Sequence, residues 1–215
     1  MAFKVPKAGD TETNSGNFFI ETLRQLLALR SAKTFVVDES ELKHAGVLVP
    51  LLLEDEIWKV LLTRRNRQVS HHKGQVSFPG GAVDREDQTY EETALRETFE
   101  EIGLAGNQVE LLGRMDDIET VASRFIIHPF VGHIFECNRF ILNREEVDNI
   151  LKIPLAFFFK TFSHEEKCSV TYEGNIYETA AYRYHEDLIW GATAGIMKNL
   201  AQIIGDKIDL LQGKK

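Results

Sequence analysis

The chain has 215 residues, enough for one sizeable domain with its own core and no need of a second. Its composition, 43% hydrophobic and 27% charged, is that of an ordinary globular protein, and a net charge of −8 argues against general binding to nucleic acid or to anionic membranes. Cys137 and Cys168 stand at no metal-ligand spacing, and neither an apolar leader nor an apolar run of spanning length is present, so a cytoplasmic protein with reduced thiols is expected.

Residues 1–16, polar and rich in Gly, Thr, Asn and Ser, read as a mobile arm. Phe19, Leu23, Leu26 and Leu27 then recur at helical spacing, so an amphipathic helix is expected over Phe18–Leu29, either as a packing appendage or as the contact of a homodimer. Residues 1–40 are accordingly set apart from a main domain at 41–215. Gly46–Leu53 (GVLVPLLL) is a nearly all-apolar run that predicts a buried strand, with Pro50 pointing to an edge or bulge. The acidic turn Glu54-Asp55-Glu56 leads into a second strand, Ile57–Thr63, and the two form a hairpin. Gln75–Phe78 is a further short strand, stopped by Pro79-Gly80-Gly81.

The next helix carries marked ends. Thr89 with Glu92 three residues on fits a capping box, and Gly103-Leu104 fits a left-handed C-terminal cap. Beyond it, Val109–Arg114, Ile118–Ala122 and Phe125–Phe135 read as strands. Arg144–Leu151 (REEVDNIL) reads as a short amphipathic helix ending before Pro154. Val170–Tyr172 and Ile176–Tyr182 form a hairpin around Glu173-Gly174-Asn175, and a closing helix spans Ala192–Ile204. This order implies a single α/β domain, a mixed sheet flanked by helices.

Placed on a helical wheel from Glu97, Glu101 falls at about 40° and Glu100 at about 300°, whereas Leu95, Phe99 and Ile102 fall between about 140° and 200°. An apolar stripe toward a core and a carboxylate stripe facing away are therefore expected. The charge around this helix is uneven. From Ile57 to Val83 the charged residues are Lys59, Arg64, Arg65, Arg67 and Lys73, with His71 and His72 beside them and no acid. From Asp84 to Glu101 there are eight acids against Arg85 and Arg96. Taken singly these features are ordinary: acidic helix faces are usually solvated, and Pro-Gly-Gly is usually a turn. Together they suit metal-bound phosphates, since hard divalent cations take carboxylate and phosphate oxygens and arginine forks grip phosphate.

The order also resembles a family. RETFEEIGL at Arg96–Leu104, preceded by Gly80-Gly81, resembles the Nudix box of hydrolases that cleave nucleoside diphosphates linked to another group. The flanking Leu61–Gly81 (LLTRRNRQVSHHKGQVSFPGG) resembles the coenzyme A pyrophosphatase branch, with weaker likeness over Glu145–Leu155 and Ile189–Ala194. Gln88 stands where the general box has glutamate, the linker is one residue longer, as that branch tolerates, and Ser70 stands where the branch often has arginine.

The resemblance implies a Nudix α/β/α sandwich with an added N-terminal helix. It also implies Mg2+ or Mn2+ held by Glu97, Glu100 and Glu101, with Arg96, Glu100 and Glu101 in the catalytic set. Substrate contacts are then expected from Arg64, Arg65, Arg67, His72, Lys73, Gly80 and Gly81, and the general base from Glu100 or Glu101, or from Glu145 or Glu146. The implied substrate is coenzyme A or its thioesters. The alternatives are another nucleoside diphosphate derivative, such as ADP-ribose or NADH, and a binding module without turnover.

Overall fold

In the computed structural model, which describes residues 12–35, 42–66, 74–120, 124–135, 139–161, 166–172 and 174–205, the apolar run after His44 becomes the central strand β1 (Lys43–Glu54). Its side chains alternate between two cores, Val47, Val49 and Leu51 in one and Leu48 and Leu52 in the other, which is why the run carries no polar face. β2 (Ile57–Arg65) returns antiparallel through Asp55-Glu56, both in the left-handed region, as a two-residue hairpin requires. The two strands pair only from Leu51 to Glu54 and then splay. β3 (Val76–Ser77) adds to the free edge of β2, and β4 (Gly80–Ala82) to the free edge of β1. Pro50 falls where β1 has left β4 and has not reached β2, so its missing N–H breaks no ladder bond.

β7 (Phe125–Ile134) lies parallel to β1 on its other side, flanked by β5 (Val109–Arg114) and β6 (Ile118–Thr120). The sheet is therefore mixed. One face is covered by α2 (Tyr90–Ile102); the other by α1 (Glu12–Ala28), α3 (Leu155–Thr161) and α4 (Gly191–Ile204). α1 starts at Glu12, within the stretch read as an arm, and buries Phe19, Leu23 and Leu27 in the core shared with α4. A second antiparallel sheet holds β9 (Glu166–Tyr172), β10 (Asn175–Tyr184) and β11 (Asp187–Trp190), with the hairpin turning at Gly174 as expected. No helix among the described residues is long and apolar enough to cross a membrane.

Two expectations are corrected. The segment read as a helix over Arg144–Leu151 is a turn followed by the strand β8 (Val147–Pro154), which pairs along β2. Its short run of Val147, Ile150 and Leu151 fits either period, and the open edge of β2 decides the matter. The second correction concerns α2. Its buried residues are Thr93, Ala94, Thr98, Glu101 and Ile102, while Phe99 is 56% exposed. On the helical wheel this seated arc is centred near Glu101, at about 40°, rather than on the Leu95–Phe99 side. The cause lies across the contact: a Cβ on Gly46 of β1 would strike the Tyr90 carbonyl and the Ala94 amide. Helix and strand meet backbone to backbone, so small side chains fit there and phenylalanine does not.

Candidate active site

α2 is fixed at both ends as its sequence dictates. The Thr89 hydroxyl accepts from the Glu92 N–H at 3.2 Å, and Gly103, with φ 69°, donates its N–H to the Phe99 carbonyl. Because the seated arc is centred near Glu101, the three glutamates lie in graded environments. Glu101 is 2% exposed, and the side chains of Glu97 and Glu100 are 19% and 52% exposed. Gly81 of β4 faces Glu97 so closely that any side chain there would displace its carboxylate.

Arg96 organises the exposed end. It donates a fork to Asp87 (Nε–Oδ1 2.9 Å, Nη2–Oδ2 2.8 Å), and further bonds to Glu97 at 2.9 Å, Glu100 at 3.3 Å and the Ala82 carbonyl at 3.1 Å. The side chain of Asp87 is only 5% exposed, accepts from the Thr93 hydroxyl and is held well below the usual carboxylate range by the Arg96 guanidinium. Asp87 supplies the acid that the general box pattern carries where Gln88 stands. Sequence reasoning missed it because only the longer linker, turned back through the Asp84 amide onto Asp87, lets the neighbouring position reach the arginine.

Glu101 is the electrostatically exposed member of the set despite its burial. Loss of water pushes its carboxyl up to about 8; Arg65 opposes this, the charges of Glu146 and Glu97 add to it, and the Gly80 N–H works against it. Glu97 is also raised, chiefly by burial, with Arg96 opposing and Glu100 and Glu146 adding. Arg65 Nη1 stands 3.6 Å from Glu101 Oε1. Glu101 Oε2 and Arg65 Nε are buried with no hydrogen-bond partner. Glu146 comes in from the turn before β8, where Asn143 donates to its carboxylate at 3.2 Å and its own carbonyl accepts from Asn66 N–H at 2.7 Å.

Of the residues singled out from the sequence, Glu97, Glu100, Glu101, Arg96, Arg65, Gly80 and Gly81 converge here, and Glu146 joins them. Arg64 does not: the alternation of β2 turns it away, into a fork with Asp187 of β11 at 2.9 and 2.6 Å. Arg67, His72 and Lys73 lie outside the described residues. Among the described residues no three acidic, histidine or cysteine side chains already close around one point, since Arg96 engages Glu97 and Glu100, and Arg65 faces Glu101. The donor set nevertheless suits a hard divalent cation: carboxylate oxygens within one turn of helix, one of them buried and unpartnered. Beside it opens a cavity of about 580 Å³, bounded by Arg65 and Gly80–Ala82, by Phe125 on β7, and by Trp190 at the start of α4.

The NUDIX domain family model matches residues 42–154, which contain α2 and both flanking strands of the site. The chain belongs to the Nudix family. It is similar to proteins described as uncharacterized Nudix hydrolase NudL. The one from Pectobacterium atrosepticum is 34% identical over 77% of this chain and 84% of its own length; the one from Yersinia enterocolitica is 36% identical over 74% and 80%. In fold it is similar to a MutT/nudix family protein from Enterococcus faecalis, with a TM-score of 0.53 at 14% identity over 99% of this chain and 88% of that one. The protein is thus a Nudix hydrolase, an enzyme type that uses divalent metal ions on small nucleotide substrates.

Proposed function

We propose that this Nudix hydrolase cleaves the diphosphate of coenzyme A or its thioesters, releasing 4′-phosphopantetheine, or its acyl form, and adenosine 3′,5′-bisphosphate. The observation that carries the reading is where the branch-like segment Leu61–Gly81 falls. Its first strand delivers Arg65 beside Glu101, and its last residues, Gly80 and Gly81, form the wall between the helix carboxylates and the cavity. The catalytic unit is residues 41–215, and residues 1–40 are an appendage whose helix completes one core.

Glu97, Glu100 and Glu101 would hold Mg2+ or Mn2+. When bound there, the cation polarises the diphosphate and makes a water acidic enough to attack it. The chain's own residues do the rest. Arg96 aims Glu97 and Glu100, and Asp87 fixes Arg96. Arg65, which lines the cavity, offers its guanidinium to a diphosphate oxygen. In this reading Glu146, partly exposed and close enough for its charge to act on Glu97 and on buried Glu101, accepts the proton. Arg64 is left out, being committed to Asp187. Incubation of the full chain with coenzyme A and Mg2+ tests the reading. Release of 4′-phosphopantetheine is expected. Cleavage of another nucleoside diphosphate derivative with coenzyme A left intact would overturn the substrate and keep the chemistry.

A further inference from the structure

The cavity beside the glycine loop differs in charge from end to end. Arg65, where it meets Gly80 and Gly81, is its single cation among the described residues. Away from the loop its walls are Ile118, Phe125, Ile127, Ile196 and Trp190, and Glu119 of β6 and Glu178 of β10 stand exposed on its rim. The first turn of α4 lines it too, with Trp190 giving no side-chain cap, so amide N–H groups of that turn remain as donors.

The two halves of the substrate proposed above differ in the property this cavity sorts. The nucleotide half bears an extra phosphate dianion on its ribose. The pantetheine half is uncharged, with a gem-dimethyl group, methylenes and two amides. Among the described residues, a second phosphate inside the cavity would meet two carboxylates and apolar walls, with Arg65 already needed by the diphosphate. The amide arm meets apolar walls for its methyl groups, amide donors from α4 for its carbonyls and the rim carboxylates for its N–H groups. We propose that the cavity is the pantetheine subsite, and that Glu119 and Glu178 are specificity determinants that keep the 3′-phosphorylated nucleotide half out of it. This rests on the coenzyme A reading, and it goes further by setting the direction in which the substrate lies across the metal site.

Binding of the two product halves to the full chain separates the possibilities, because each can be titrated without turnover. In Trp190→Ala, 4′-phosphopantetheine binding is expected to weaken by about tenfold and the KM for coenzyme A to rise in step, with binding of adenosine 3′,5′-bisphosphate unchanged. In the Glu119→Lys/Glu178→Lys variant, whose positions are exposed and leave the core intact, adenosine 3′,5′-bisphosphate is expected to bind about tenfold more tightly. The reverse pattern in Trp190→Ala, or no change in either ligand on charge reversal, overturns the subsite. Coenzyme A cleavage by a wild-type protein that fails to bind 4′-phosphopantetheine overturns it as well while sparing the proposed reaction. Binding of 4′-phosphopantetheine that Trp190→Ala weakens supports the subsite even if coenzyme A is not cleaved, an outcome that would sink only the reaction.

Discussion

Asp87 shows how much of this site depends on one carboxylate that does no chemistry. Its fork fixes the plane of Arg96, and that plane aims Glu97 and Glu100. Asp87→Asn keeps the shape and removes the charge, leaving a half-buried guanidinium short of its partner. We expect a loss of about 1.5–3 kcal/mol in urea unfolding, and a fall in kcat that added Mg2+ does not restore. Glu101 behaves differently, because its ionised form is costly to bury. Glu101→Gln should leave the metal-free protein as stable as the wild type or more so, yet lower kcat by about a hundredfold or more under saturating metal, as read in paired melting and turnover assays. A third prediction concerns the proposed base: Glu146→Gln should lower kcat with KM unchanged in steady-state assays with coenzyme A.

At the scale of elements, the contact of α2 with β1 and β4 separates packing from positioning. Gly46→Ala sets a methyl group against the backbone of the helix, which must lift as a body; a loss of about 1–3 kcal/mol is expected in thermal unfolding. Gly81→Ala meets the flexible end of Glu97 instead, so stability should hold while activity falls. The clip joining β1, β2 and β8 adds a pH dependence. Lys152 and Lys59 hold Glu54, each at 2.6 Å, and lower its carboxyl from 4.5 to about 2. A depressed carboxyl stabilises the fold above its ordinary 4.5 and loses that contribution as pH falls through about 2. Glu54→Gln should therefore flatten melting temperature against pH across that acid window and leave it unchanged in slope above it.

What the sequence made legible follows from the range of the forces concerned. The caps of α2, the β1–β2 hairpin and the three glutamates rest on contacts a few residues apart, and all were readable. The seated face of α2 was not, because it is set by Gly46, which belongs to a different strand. β8 was misread because only the edge of β2 tells its period. Arg64 and Arg65 adjoin in sequence, and at a step where the β2–β8 register shifts, one goes to the small sheet and the other to the site.

Over the whole molecule, the site is larger than the segment that marks the family. Residues 42–154 carry the glutamates, but the cavity is closed by residues 178–196, and α1 and α4 fill the core on that face of the sheet. A chain cut to 42–154 exposes Val49, Leu51, Val60 and Leu62, and it is expected to aggregate or to show a collapsed, dye-binding state rather than a cooperative melt. Arg64 and Asp187 span the same division, joining the main sheet to the small one.

The parallel pairing of β1 with β7 has a consequence in time as well as in space. These strands lie far apart in the chain, and Glu97, Glu100 and Glu101, the proposed metal ligands, are strung between them. On a ribosome the glutamates emerge well before β7 can dock and close the sheet over the far end of α2. Until then the long loop between the strands carries its closure entropy without the ladder that offsets it, so folding should be slow for a chain of this size and late in its commitment. Divalent ions added during refolding should then slow unfolding and leave the folding rate nearly unchanged, since the glutamates, although neighbours on one helix, meet Arg65 and Gly81 in a finished site only after the rate-limiting closure.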